Sequence, residues 1–145
     1  MQSKIGVLLI NLGTPDSPSN GDVRKYLNEF LTDWRVIDIP AVPRQLLVRG
    51  VISPFRAGNS AKSYREIWDE RGSPLKYISE DLTKALQESL DKRNDGKKYV
   101  VELAMRYQSP SIEKCLLNLR KQLVNQYIKL PLFPQYTNAY TCSAH

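Results

Sequence analysis

The sequence is poor in the side chains that carry most covalent and metal chemistry. Histidine occurs once, at the last position, His145. Cysteine occurs twice, as Cys115 and Cys142, with no C-x-x-C and no spacing that frames a disulfide scaffold. A metal site cannot be assembled from a local His/Cys motif, and one terminal histidine leaves little room for a Ser-His-Asp arrangement. So few thiols fit a reducing compartment, and the expected location is the cytoplasm. No G-x-G-x-x-G follows a strand-like run, and no G-x-x-x-x-G-K-[ST] or G-x-S-x-G occurs, so the commonest nucleotide cradles and the hydrolase elbow are absent. The opening apolar run is too short to span a bilayer and lacks a signal-peptide cleavage pattern. Internal repeats, low-complexity tracts and runs of five like charges are also missing.

What is present is an ordinary globular composition with a basic excess. At 145 residues the chain has the length of one domain and can bury a real core. Its net charge of +6 points to an anionic partner: nucleic acid, an acidic membrane surface, or a small molecule bearing carboxylate or phosphate. A merely solvated basic surface is the plainer alternative. Aromatics are not interleaved with a basic stripe, so nucleic acid is not expected among the partners.

The chain opens with Ile5, Val7, Leu8, Leu9 and Ile10, stopped by Gly13-Thr14-Pro15. Such a short Val/Ile/Leu-rich run reads as a strand buried on both faces within a parallel sheet. Capping candidates at 16–20 precede Val23, Tyr26, Leu27, Phe30 and Leu31, spaced as an amphipathic helix that ends at Thr32-Asp33. Leu46 to Ile52 suggests a short apolar helix closed by Ser53-Pro54. Its breadth favours packing inside; forming one lip of an apolar cleft, or touching a membrane, is the alternative. Residues 55–59 read as loop. Asn59 or Ser60 then caps a helix carrying Ala61, Tyr64, Ile67 and Trp68, broken by Arg71-Gly72. Ser73 as cap and Pro74 at the first position start a helix through Leu90, with Leu75, Ile78, Leu82, Ala85 and Leu86 on its stripe. Tyr99 to Met105 is the second strand, and Ser109-Pro110 repeats the cap-then-proline start. Ile112, Cys115, Leu116, Leu119 and Leu123 follow as a stripe, which makes Cys115 core packing. Tyr127 to Phe133 is the third strand, with Pro131 at an end or bulge.

Strands alternating with helices predict an α/β fold, a parallel sheet with helices on both faces. The strand exits, Leu12 to Pro15, Arg106-Tyr107 and Pro134 to Thr137, should then lie along one sheet edge, where such folds bind ligands. They offer an arginine, tyrosines, hydroxyls and an amide beside apolar surface, suited to a large, partly apolar ligand with acidic arms. The alternative is that Tyr107 and Tyr136 only finish the core while Arg106 is solvated. The chain stops soon after the third exit with no following helix, so a truncated domain is expected.

Those residues also carry a resemblance. Ile10-Asn11-Leu12-Gly13-Thr14-Pro15 resembles the opening signature of ferrochelatases, which insert ferrous iron into a porphyrin in haem biosynthesis. Val36 to Pro40, Tyr64 followed by Gly72-Ser73-Pro74-Leu75, Ala104-Met105-Arg106-Tyr107 with Pro110, and Leu130-Pro131-Leu132-Phe133-Pro134-Gln135-Tyr136 resemble four further stretches of that family, in order and spacing. The resemblance implies two similar Rossmann-like, chelatase-like domains with porphyrin in the cleft between them. Residues 1–145 would be the first, a three-layer sandwich, with the second domain absent.

It further implies a porphyrin wall made of Leu12, Arg56, Tyr64, Ser73, Arg106, Tyr107, Pro134, Gln135 and Tyr136. Leu12 falls where relatives place a Tyr or Met facing the porphyrin centre; leucine cannot ligate iron but can pack on the macrocycle. Arg56 is placed to pair with a propionate. Family catalysis rests on a histidine in S-A-H-x-[LI]-P and a downstream glutamate. Ser143-Ala144-His145 copies three letters of that motif but comes a helix and a strand too early, so no catalytic or metal-binding residue is expected in this chain. Porphyrin and ferrous iron are implied as substrates, with no permanently bound cofactor. The missing half and self-association through the surface meant for it complete the implied partners. Residues 1–145 alone are expected to be inactive. A cobalt-chelatase-like or non-catalytic tetrapyrrole-binding role, or an unrelated nucleotide-binding domain, are the competing classes.

Overall fold

The computed structural model describes residues 3–132. Strand β1 (Lys4–Gly13) is followed by helices α1 (Asn20–Leu31) and α2 (Ala41–Leu47), a π turn (Val48–Ile52), and helices α3 (Ser53–Ile67) and α4 (Pro74–Asp91). Strand β2 (Lys98–Tyr107), helix α5 (Ile112–Lys121) and strand β3 (Gln126–Pro131) complete the described order. The sheet runs β2-β1-β3, with both pairings parallel.

The centre of that sheet is β1, where every residue from Ile5 to Ile10, Gly6 included, is buried. A strand covered on both faces has no polar side, which is why its sequence shows no alternation. Leu8 and Ile10 join Ala104, Cys115 and Leu119 beneath α5. Val7 and Leu9 join Leu103 and Met105 on the other face, beneath Leu75, Leu86 and Leu90 of α4. The predicted α/β layering, with helices on both faces, is therefore the observed one. Cys115 is core: its thiol donates to Leu103 O at 3.1 Å, and burial pushes its pKa up to about 11. Pro131 closes β3, an end position as expected.

Six local expectations are corrected. Ser53-Pro54 does not stop the apolar helix, and residues 55–59 are not a loop; helical backbone runs from Ala41 to Ile67. The Ser53 N–H reaches Val48 O, five residues back, and this wider turn takes Pro54 into the start of α3. Near a helix start the missing proline N–H leaves little unsatisfied. The apolar stretch is not packed inside either, because only Val48 of it is fully buried while Leu46 and Val51 are 70% and 50% exposed.

On α4, Ile78 and Leu82 are exposed, and the inner face carries Ser79 instead. The Ser79 hydroxyl donates to Leu75 O at 2.6 Å and accepts from Asn11 Nδ2 at 3.0 Å, so a buried polar group is satisfied on the face that also carries Leu75, Leu86 and Leu90. On α5, Ser111 is the cap, accepting from Lys114 N; Ser109-Pro110 lies before the helix, and Leu123 lies beyond it at φ 57°.

Gly13 pins the end of the β1–β2 pairing. It sits at φ +116°, and an added Cβ would come within 2.1 Å of Tyr107 O. Gly13→Ala should therefore cost at least about 3 kcal/mol in urea unfolding. Gly58→Ala, inside α3 with open space around it, should instead stabilise by about 0.5–1 kcal/mol. A second expectation concerns Glu102 on β2, whose pKa is raised by burial. A raised carboxyl pKa means folding favours the protonated form, so this contribution is full at low pH and is lost as pH rises through the folded pKa. Glu102→Gln should raise Tm at pH 7 and lose that advantage in acid.

Candidate functional site

Parallel pairing brings the carboxyl ends of β1 and β2 together: Gly13 lies opposite Tyr107, and Asn11 opposite Met105. This realises the expected common edge for two of the three exits. The third, Pro134-Gln135-Tyr136, lies outside the described residues, as does His145.

The β1 exit is joined to the start of α4. Thr14 Oγ1 and Ser73 Oγ, both buried, share a 2.8 Å hydrogen bond. Ser73 stands at the cap position of α4, yet its side chain makes no capping bond to the helix. The turn before it is held from several sides. Asp69 and Gly72 form an isolated bridge. Asp69 accepts from Arg71 N at 2.8 Å and from the Tyr77 hydroxyl at 2.8 Å. The Arg71 guanidinium makes a two-pronged pair with Asp81 at 2.7 and 2.8 Å. A groove of about 270 Å³ opens here, lined by Pro15, Asp16, Trp68, Arg71, Gly72, Ser73, Lys76 and Glu80. With Arg71 occupied by Asp81 and the Ser73 hydroxyl by Thr14, Lys76 is the cation of this groove that makes no ion pair among the described residues.

The β2 exit is joined to the end of α1 by two carboxylates. Asp33, its side chain only 6% exposed, accepts from Arg106 Nη2 at 2.7 Å, the Tyr107 hydroxyl at 3.0 Å and Arg35 N at 2.9 Å. Glu29 accepts from Gln108 N at 3.2 Å and from the Gln108 side-chain amide. Tyr107 is buried edge-on against Phe30, with ring centroids 5.2 Å apart. Burial and the Asp33 charge push its hydroxyl pKa far up, so Tyr107 stays a neutral donor. Arg106 lies over the Tyr107 ring at 4.9 Å. A second groove, about 260 Å³, is lined by Glu29, Thr32, Asp33, Trp34, Arg35, Arg44, Arg106 and Tyr107.

Of the residues singled out in the sequence, Leu12 and Ser73 thus stand at one end of the sheet with Arg106 and Tyr107. Tyr107 does finish the core, and Arg106 is paired rather than solvated. Tyr64 is half-buried on α3, stacked edge-on between Tyr26 and Trp68, and burial raises its pKa. Arg56 is exposed on α3, and among the described residues no hydrogen bond or ion pair ties it to the strand exits. Sequence reasoning missed Asp33 and Glu29. Asp33 read only as a helix end; the signal available was that Arg106, at the end of a buried strand, needs a carboxylate partner. No group of three His, Cys, Asp or Glu that could hold a metal ion occurs among the described residues.

Comparison with known proteins converges on one family. The ferrochelatase family model matches residues 4–145. The chain is 50% identical over 142 residues to the ferrochelatase of Coxiella burnetii (strain Dugway 5J108-111), covering 98% of this chain and 39% of that protein. It is 48% identical over 141 residues to the ferrochelatase of Actinobacillus pleuropneumoniae serotype 5b (strain L20), covering 97% of this chain and 44% of that relative. It is also 48% identical over 139 residues to the ferrochelatase of Haemophilus influenzae (strain PittEE), covering 96% and 42%. The chain spans about two-fifths of the length of these curated relatives. With the family model matching residues 4–145 and relatives about half identical along almost the whole chain, the chain belongs to the ferrochelatase family.

Proposed function

We propose that this chain is one wall of the porphyrin seat of an enzyme that inserts ferrous iron into a porphyrin in haem biosynthesis. The observation that carries the reading is the convergence of the β1 exit, the α4 start and the β2 exit on one end of the sheet, flanked by two grooves in which arginine and lysine stand beside carboxylates. A porphyrin is a broad apolar plate with acidic arms. Leu12 offers apolar surface to the plate. Ser73 and Lys76 on one side, and Arg56 on α3, are the groups proposed to meet the arms. Tyr64 and Tyr107 stiffen the wall, and Arg106, held by Asp33, contributes fixed positive charge to it. Pro134, Gln135 and Tyr136, outside the described residues, are proposed to extend the same wall.

The reaction exchanges two pyrrole protons for one ferrous ion, so it needs a grip that bends the macrocycle and a base that takes the protons. Bending turns nitrogen lone pairs out of the ring plane and resembles the metal-entry geometry, the state in which binding energy accelerates reaction. Rigid groups supply grip most effectively, and the hydrogen-bonded turn at 69–73 and the Asp33 cluster are rigid in this sense. The proton acceptor is assigned to polypeptide outside this chain. Residues 1–145 alone should therefore give no zinc insertion into a dicarboxylate porphyrin above a no-protein blank in a fluorescence assay; turnover above it would refute that assignment.

The grip itself is tested by fluorescence titration of the full-length protein. Arg56→Gln should raise the Kd of a dicarboxylate porphyrin about tenfold, the loss of one charge-assisted hydrogen bond. The same substitution should leave the Kd of the porphyrin dimethyl ester unchanged. Equal effects on acid and ester, or none on either, would contradict the role given to Arg56.

A further inference from the structure

Among the described residues two non-glycine positions take a positive φ, Leu123 at 57° and Gln108 at 65°. Leu123 follows the last turn of α5, where left-handed backbone is a common way to end a helix. Gln108 has no such setting. It follows the last residue of β2 and is 9% exposed. Glutamine is also not one of the short polar residues, asparagine or aspartate, that enter this region readily. A glutamine held there is strained, and strain of this kind persists only where neighbouring contacts impose it.

The contact that imposes it comes from Glu29. The Gln108 backbone N–H donates to both Glu29 carboxylate oxygens, at 3.2 and 3.3 Å, and the side-chain amide donates to Oε2 as well. Backbone and side-chain donors of one residue thus fall on one carboxylate, an acceptor stronger than a neutral oxygen. Glu29 is exposed on α1, so it is not there to fill the core. What it holds is a pivot. Just beyond Gln108 the chain doubles back, and Met105 N donates to Pro110 O at 2.7 Å. The excursion closed by that bond is residues 106–109, and it begins with Arg106 and Tyr107. Across the sheet end, Gly13 lies opposite Tyr107 and also has a positive φ, 116°. There glycine makes the conformation free of strain; at Gln108 a carboxylate offsets it. Resting on the reading of this edge as a porphyrin wall, we propose that Glu29 is a positioning residue for porphyrin binding. By holding Gln108 in the left-handed conformation, it keeps the Arg106-Tyr107 excursion where the macrocycle meets it.

Fluorescence titration of the full-length protein with a dicarboxylate porphyrin tests this. Without Glu29 the free protein relaxes, and binding must restore the strained conformer, so affinity falls by the fraction that remains competent. Glu29→Ala should raise the Kd about tenfold, within the range that such backbone strain spans. Glu29→Gln, which keeps one acceptor for Gln108, should raise it less. Glycine adopts the left-handed conformation without strain, so Glu29→Ala/Gln108→Gly should bring the Kd back to within about threefold of wild type. A role confined to stability would lower Tm without moving the Kd, and glycine would restore nothing. Circular dichroism checks the folding of each variant. A Kd unchanged in both Glu29→Ala and Glu29→Gln, or one that Gln108→Gly fails to restore in a natively folded double variant, would overturn the proposal while leaving the wall intact. Failure of the wild-type full-length protein to bind the porphyrin would overturn the wall, and the proposal with it.

Discussion

The arrangement at the end of the sheet depends on one buried carboxylate. Asp33 leaves the end of α1 and takes three short hydrogen bonds, two of them from the last two residues of β2. Its partners lie 73 and 74 residues away in sequence, so this contact closes a large part of the chain onto itself. A carboxylate this buried is stable only while its donors are in place, and removing one partner of such a pair typically costs about 3–5 kcal/mol. Glu29, one helical turn earlier, repeats the device on Gln108. Together they fasten the β2 exit to α1, as Thr14 and Ser73 fasten the β1 exit to α4. These two fastened exits are what we propose as the porphyrin wall.

Rigidity here has a chemical use. A macrocycle resists bending, and a wall that yields would absorb the strain meant for the substrate. Tyr107 illustrates the division of labour. Its ring completes the core against Phe30, its hydroxyl stays protonated on Asp33, and its neighbour Arg106 is held over it as a fixed charge. None of these groups is free to move to a ligand; the ligand must conform to them. Arg56, exposed on α3, and Lys76, half-buried on α4, are the cations proposed to meet the acidic arms at the margin.

Much of this architecture was legible from residue order. A strand buried on both faces must be continuously apolar, so β1 announced itself, and the inner half of β2 with it; β3 was found from its short apolar run although its residues are largely exposed. Ser73-Pro74 marked the start of α4 because proline at a first helical position loses nothing. The run from Ala41 to Ile67 was not legible, since Ser53-Pro54 and Gly58 are breakers by local rules, and the π turn that absorbs the proline has no sequence signature. Ile78 and Leu82 misled for a related reason: periodicity assumes that every apolar residue near the stripe faces inward, whereas the inner face is Leu75, Ser79, Leu86 and Leu90, with Ser79 satisfied there by Leu75 O and Asn11. For the candidate site, strand ends and hydroxyls could be named from order alone. Asp33 could not, because its meaning lies in partners that only tertiary structure brings near.

The central claim, that a porphyrin rests on the fastened exits of β1 and β2, is open to direct mapping by hydrogen–deuterium exchange. Full-length protein with and without a dicarboxylate porphyrin would be compared segment by segment. The account predicts added protection at residues 11–15, 69–77 and 106–108, with little change in α5. Protection concentrated in α5 and β3, with those three segments unchanged, would contradict it.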